Sequence, residues 1–410
     1  MSLPISSESD LTLEVVILLI LGVFMLLFGP LLFFIHTGDL PYTPDSMYGL
    51  LLVIASIQII TMGKTPFGDL RRCPVVIILG MCTAILGMLA CFIPGYLTDI
   101  VRIVVGVLLS LGGISLLFQL FVSEKKAKKW IRIPGMLRQL IVACALSYLC
   151  TTIAGLLTLI PGIVTNPQTE LFLLIYGMSF FYLAWCIQNV NRRYPKAVAG
   201  ESGGGIVSDA NRSDTKSRLF AKSSLPLSHA ILILLGVLLV VLGTLLFPVS
   251  LGLLPFAPDG QLGLLLVVIA LQMMALGNTP LGQFKRSWVM VLIGIGCASM
   301  GIISCIVPGI LTFALRYLLG GLSIGGRVVF FATKFLVAVR AIKNPPPDMV
   351  PFLPVFRNML AIQTVFNVVS LAFGLAILLP GLVPGFVTAG IVVIKGVLLL
   401  LLVSILQKMS

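Results

Sequence analysis

The chain has 410 residues, of which 59% are hydrophobic and only 10% charged, with a mean hydropathy of +1.14. That leaves too little polar surface to cover a soluble globule of this length, and it places the chain in a bilayer. The formal charge of +13 does not point to nucleic acid, because the cations sit in clusters between apolar runs.

Residues 1–14 form a polar, acidic N-terminal segment (Glu8, Asp10, Glu14). Twelve apolar runs follow, about 20 residues each, the length that crosses a ~30 Å hydrocarbon core. They lie near 15–36, 46–62, 74–93, 98–122, 138–160, 169–190, 228–248, 260–276, 288–307, 310–333, 357–379 and 386–406. The runs at 46–62 and 260–276 are short and would stand nearly upright or thin the bilayer locally. The first run lacks both a basic leader and a small-residue cleavage pattern, so it reads as a retained helix.

Of the 27 Lys and Arg residues, 23 fall on the side to which the even-numbered helices exit. The other four, Arg102, Arg316, Arg327 and Lys395, lie inside predicted helices, and the opposite loops carry none. The positive-inside rule then makes both termini cytoplasmic in a cell (inner) membrane.

The stretch from Gly63 to Arg102 recurs from Gly277 to Arg316 at an offset of 214, with fifteen of forty positions identical. The same offset reaches back through Pro44-Asp45 and Pro258-Asp259 to Gly22/Gly29 and Gly236/Gly243, and forward to Gly112 and Gly326. The chain is a tandem duplication, with six-helix membrane halves at 15–190 and 227–410. Between them, residues 191–226 are rich in Gly, Ser, Asp and Lys, cannot bury a core, and read as a flexible cytoplasmic linker. Because six is even, the halves share one orientation and are related by a pseudo-two-fold axis along the membrane normal. The predicted fold is all-α: a polytopic membrane protein of about twelve helices in two parallel halves.

Turn chemistry divides each half further. Pro94-Gly95, Pro161-Gly162, Pro308-Gly309 and Pro384-Gly385 each stop one helix and let the chain reverse, with a Thr three residues after the Gly to cap the next. This predicts three antiparallel hairpins per half. On the basic side, Gly63–Gly68 and Gly277–Gly282 have the Pro and Gly of a tight turn, with a gating or anion-contacting loop as the alternative. Gly80/Gly87 and Gly294/Gly301, like Gly22/Gly29 and Gly236/Gly243, are seven apart and share a helix face, which predicts packing seams.

Polar residues inside helices are where function shows in a membrane protein. Lys395 follows Pro384 by eleven residues, which puts it about 16 Å into the membrane. Arg102 and Arg316 are equivalent near the outer turns, as anchors or as a pair of cations at an outer mouth; Asp99 is placed to pair with Arg102, and Phe313 replaces that acid in the second copy. Gln58 and Gln272 are equivalent in helices 2 and 8, suited to interhelical hydrogen bonds or to a polar solute. Mid-membrane carboxylates are missing, the two histidines (His36, His229) lie at helix ends, and the eight cysteines form no closely spaced pair, although Cys91 and Cys305 are equivalent. These features predict no metal, no cofactor, no nucleic acid and no enzymatic activity.

Repeated hairpins of Gly-x6-Gly, an outer Pro-Gly and a second helix with a later Gly resemble the HdeD family of bacterial inner-membrane proteins associated with acid resistance. Gly80, Gly87, Pro94, Gly95, Gly106 and Gly112 carry the pattern in the first half, and Gly294, Gly301, Pro308, Gly309, Gly320 and Gly326 in the second. The third hairpins depart from it, with Tyr148 and Asn367 where the first Gly should stand. The resemblance implies a non-enzymatic protein of acid or envelope-stress tolerance and no catalytic residues. The helix count, linker and Asp69-Leu70-Arg71-Arg72 also resemble the major facilitator superfamily, which implies a secondary transporter for a small, anionic solute. A third reading is an assembly subunit that docks itself or other membrane proteins through its glycine faces.

Overall fold

The computed structural model describes residues 11–61, 74–122, 136–160, 162, 165–193, 227–275, 288–335, 339–340, 353–379, 381 and 383–409. The turns at 63–68 and 277–282, the linker beyond Arg193, Pro161 and Pro380 lie outside them. Twelve long helices account for nearly all of the described chain. They are α1 (Leu13–His36), α2 (Pro44–Thr61), α3 (Pro74–Phe92), α4 (Thr98–Val122), α5 (Met136–Leu159) and α6 (Asn166–Arg193) in the first half. The second half has α7 (Leu227–Ser250), α8 (Pro258–Ala275), α9 (Trp288–Ile306), α10 (Thr312–Phe330), α11 (Leu353–Leu378) and α12 (Gly385–Met409). Ten are long and apolar enough to cross a membrane. The other two are α2 and α8, the short runs of the sequence, each 18 residues and so about 27 Å long.

One face of the bundle gathers the links after odd-numbered helices. Gly38, Gly95, Gly162, Gly252, Gly309 and Gly381 turn the chain there, all with φ between 72° and 97°. That face is called the turn face below, and the opposite one, where the cations cluster in sequence, the basic face. Here the structure corrects one expectation. The counterpart of Gly162 (φ 90°) is Gly381 (φ 97°) and not Gly385, which opens α12. Pro384 instead serves the helix start, its carbonyl accepting from the N–H groups of Val387 (3.0 Å) and Thr388 (3.1 Å). The second copy is five residues longer between α10 and α11 than the first is between α4 and α5, so the repeat offset is 219 from Tyr148/Asn367 onward.

The glycine seams run between hairpins more than within them. The closest helix pairs are α2–α3, α4–α5 and α6–α1 in the first half, and α8–α9, α10–α11 and α12–α7 in the second. At each crossing two glycines face each other: Gly49/Gly87, Gly106/Gly155, Gly22/Gly177, Gly263/Gly301, Gly320/Gly374 and Gly236/Gly396. A Cβ on either member would meet the other's carbonyl oxygen, at 3.1–3.3 Å for Gly22/Gly177 and at 2.5–2.6 Å or closer in the pairs of α2–α3 and α8–α9. Absence of side chains lets the backbones touch, with weak Cα–H···O contacts replacing the hydrophobic drive that lipid does not supply. Each half therefore closes on itself, α6 returning to α1 and α12 to α7.

The halves meet through α1–α3 and α7–α9. Their contact is symmetric: the Thr43 N–H donates to Ile306 O (3.2 Å), and the Ala257 N–H donates to Phe92 O (3.2 Å). Cys91 and Cys305, fully buried, donate to the equivalent carbonyls of Ser46 (3.3 Å) and Gly260 (3.6 Å). The Cys91 thiol also touches that of Cys305, so the pseudo-two-fold axis passes between them. Buried aliphatics of α1, α2, α8 and α9, such as Ile20, Leu50, Leu266 and Ile302, surround this axis and form the core.

Candidate functional site

With the corrected register, the two halves can be compared position by position around α4–α6 and α10–α12. Arg327 stands where the first half has Gly113, Asn367 where it has Tyr148, Ser370 where it has Thr151, and Lys395 where it has Tyr176. In the first half these residues close on one another. The Tyr176 hydroxyl donates to Thr151 Oγ1 at 2.8 Å, and Thr151 donates to Ser147 O at 2.7 Å. Gly113 packs so tightly on α5 that an added Cβ would lie 3.0 Å from Tyr148 O and closer still to the Thr152 hydroxyl.

The second half differs at the same place. An arginine at the Gly113 position cannot be held at a glycine contact, and α10 packs less extensively on α11 than α4 does on α5. The backbone changes too: directly after Arg327 the chain leaves the α-helix for a π-turn, Phe331–Phe335, a feature often found where a helix serves a site. Two cations lie over aromatic rings of α11. Arg327 Nη1 donates to Asn367 Oδ1 at 2.9 Å, and its guanidinium lies over the Phe366 ring, 5.2 Å from the centroid. Lys395 Nζ lies over Phe373 (4.7 Å) and over the same Phe366 ring (5.9 Å).

Depth makes these residues expensive. Lys395 is about 15 Å, Asn367 about 17 Å and Arg327 about 22 Å along their helices from the turn face. Lys395 is near the middle of α12, whereas Arg327 is in the last turn of α10; a charged side chain at a helix centre costs roughly 2.5–3.5 kcal/mol on insertion and less toward the ends, and aromatic faces recover only part of that. Among the described residues neither charge has an acid within salt-bridge distance. The second half contains two acids, Asp259 and Asp348; the first opens α8 at the turn face and the second lies outside the described residues. Two buried polar atoms here lack a partner among the described residues: Arg327 Nε and Ser370 Oγ, the latter on a fully buried residue. The surplus is of positive charge and donors, and its complement is an anion.

Other candidates from the sequence sit apart. Arg102 pairs with Asp99 (3.4 Å), while Arg316, equivalent by the duplication, is on α10, which is not among the helices that pack closely on α4. Gln58 is partly buried on α2, at the interface between the halves and away from Lys395. Gln272 falls on α8, and its side chain is outside the described set. Pro94-Gly95 and Pro308-Gly309 are turns, each held by an acid that sequence reading left unassigned: Asp45 Oδ2 accepts from the Gly95 N–H (2.6 Å), and Asp259 accepts from the Thr312 hydroxyl. Tyr42 beside them is pushed above the usual tyrosine range, by burial first and then by Tyr48 and Asp45. His36 meets Glu170 at 3.0 Å where α1 and α6 close the first half. Among the described residues no group of three or more His, Cys, Asp and Glu side chains could hold a metal ion.

Fold and site together define a multi-pass, all-helical membrane protein whose second half holds two cations without an acidic partner among the described residues. No family model, curated protein or solved structure matches the chain.

Proposed function

We propose that the protein is a membrane carrier for a small anion, bound within the second half between α10, α11 and α12. The observation that carries this reading is the meeting of Arg327 and Lys395 on one aromatic ring, deep in the bundle, with no carboxylate in those three helices. Intramembrane charges of this kind are retained where they face a solute or ion pathway. In this reading the basic face is cytoplasmic and both termini lie on that side of the cell membrane. The pathway runs inside one half, unlike the interface between halves used by the major facilitator superfamily.

A second reading, a non-enzymatic HdeD-like protein of acid or envelope-stress tolerance, draws support from the facing glycines, which serve packing alone. The two readings part at residue 395. Lys395→Cys, in a background lacking the native cysteines, is labelled with a water-soluble thiol reagent from each side of sealed vesicles. Labelling that a soluble anion suppresses is the carrier result. Absence of labelling from both sides, with the chain still folded, means a dry bundle and removes the carrier reading.

A further inference from the structure

We infer that the anion taken by this site is divalent: a small oxyanion of two negative charges, held jointly by Arg327 and Lys395. The inference rests on the carrier reading above and adds the valence of its solute.

The argument is one of charge balance in a medium that tolerates little imbalance. Arg327 is permanently charged, and Lys395 lies within its electrostatic reach over the shared Phe366 ring. With Lys395 protonated, a monovalent anion between them leaves one net positive charge in the apolar interior, whereas a dianion leaves none. Burying a net charge is far costlier than burying a neutral, hydrogen-bonded group. The neighbouring groups suit an oxyanion, which offers several acceptor oxygens and no donors. Arg327 Nε and the Ser370 hydroxyl are buried and unpartnered donors among the described residues, and the ammonium brings three more. Asn367 is already engaged, accepting from Arg327 through Oδ1 and donating through Nδ2 to Gln363 O at 2.8 Å, so its part is to aim the guanidinium.

The contrast between halves supports the same conclusion. Where the first half has no solute to hold, Tyr176 and Thr151 satisfy each other without any charge. At these equivalent positions the second half carries two cations, Arg327 and Lys395, where the first half has Gly113 and Tyr176.

Sulfate is the chosen probe, because it stays doubly charged at every pH at which the protein folds. Purified full-length protein in phospholipid-free detergent is titrated with sodium sulfate or sodium nitrate at matched ionic strength, and thermal unfolding is followed. The inference expects saturable stabilisation by sulfate with an apparent affinity at least ten-fold tighter than for nitrate. Lys395→Met, which keeps length and removes one charge, is expected to abolish or reverse that preference while nitrate still stabilises. Equal or tighter binding of nitrate by the unmodified chain overturns the valence and leaves the carrier reading standing. Absence of a saturable effect from either anion overturns both. Should a phosphodiester lipid stabilise the protein without competition from sulfate, the occupant is a lipid headgroup and the inference fails. If Lys395→Met does not fold, the sulfate-to-nitrate ratio of the unmodified chain decides alone.

Discussion

Replacing Gly87 with alanine tests the seam on which the architecture depends. A Cβ at residue 87 would lie 2.5 Å from Gly49 O, 2.8 Å from Leu52 Cβ and 3.0 Å from Val53 N. Two of these neighbours are backbone and cannot rotate away, so α2 and α3 must separate by a large part of ~1 Å to restore an ordinary contact. Overpacking of this kind costs about 1–3 kcal/mol. Against it stands the higher helix propensity of Ala over Gly, at most about 1 kcal/mol. The net expectation is a loss of about 0–2 kcal/mol against the unmodified chain, and the same for Gly301→Ala, where the facing oxygen of Gly263 would be 2.6 Å away. Gly112→Ala is the control, because nothing lies within 4 Å of a Cβ there; it is expected to be neutral or stabilising. Equilibrium unfolding in mixed micelles, followed by far-UV circular dichroism, gives the comparison. A Gly87→Ala protein as stable as Gly112→Ala would refute backbone contact as the basis of the seam.

Two further outcomes follow from the turn face. Gly381→Ala places a side chain at φ 97°, outside the ordinary L-residue region, and should cost about 1–2 kcal/mol; Gly381→Asn should recover part of that, and Gly385→Ala should show no backbone strain of this kind. Equal losses at 381 and 385 in the same unfolding assay would return the turn to Pro384-Gly385. Asp45→Ala removes a charged acceptor 2.6 Å from the Gly95 N–H and should lower stability by about 1.5–3 kcal/mol, with faster hydrogen exchange at the Gly95 amide. Unchanged exchange at Gly95 would mean that the carboxylate does not hold the turn.

Composition, run length and repeat determined much of this protein on their own. A bilayer leaves helices as the way for a chain this apolar to satisfy its backbone, so the runs alone give the elements, and an even number per half fixes their shared orientation. The spacing of Gly80 and Gly87 also announced a packing face, because residues seven apart share a side of a helix. What that face meets was not legible. Sequence adjacency suggests that α3 packs on α4, yet Gly87 faces Gly49 of α2, because the glycine on the other helix decides where two backbones can touch.

The site followed the same division. Lys395 was conspicuous as a lone cation in an apolar run, but its meaning depended on Arg327, 68 residues earlier, and on Phe366 between them in sequence. The offset of 214 hid the relation of Lys395 to Tyr176; the pairing of Tyr148 with Asn367 already carried the shifted register, and the left-handed glycine at 381 fixed the turn that goes with it. Sequence specified which helices exist, because burial in lipid is a property of each segment alone. Tertiary structure decided which charges share a ring, because proximity across α10, α11 and α12 is set by how the helices pack, through contacts such as Gly320/Gly374 and Gly236/Gly396.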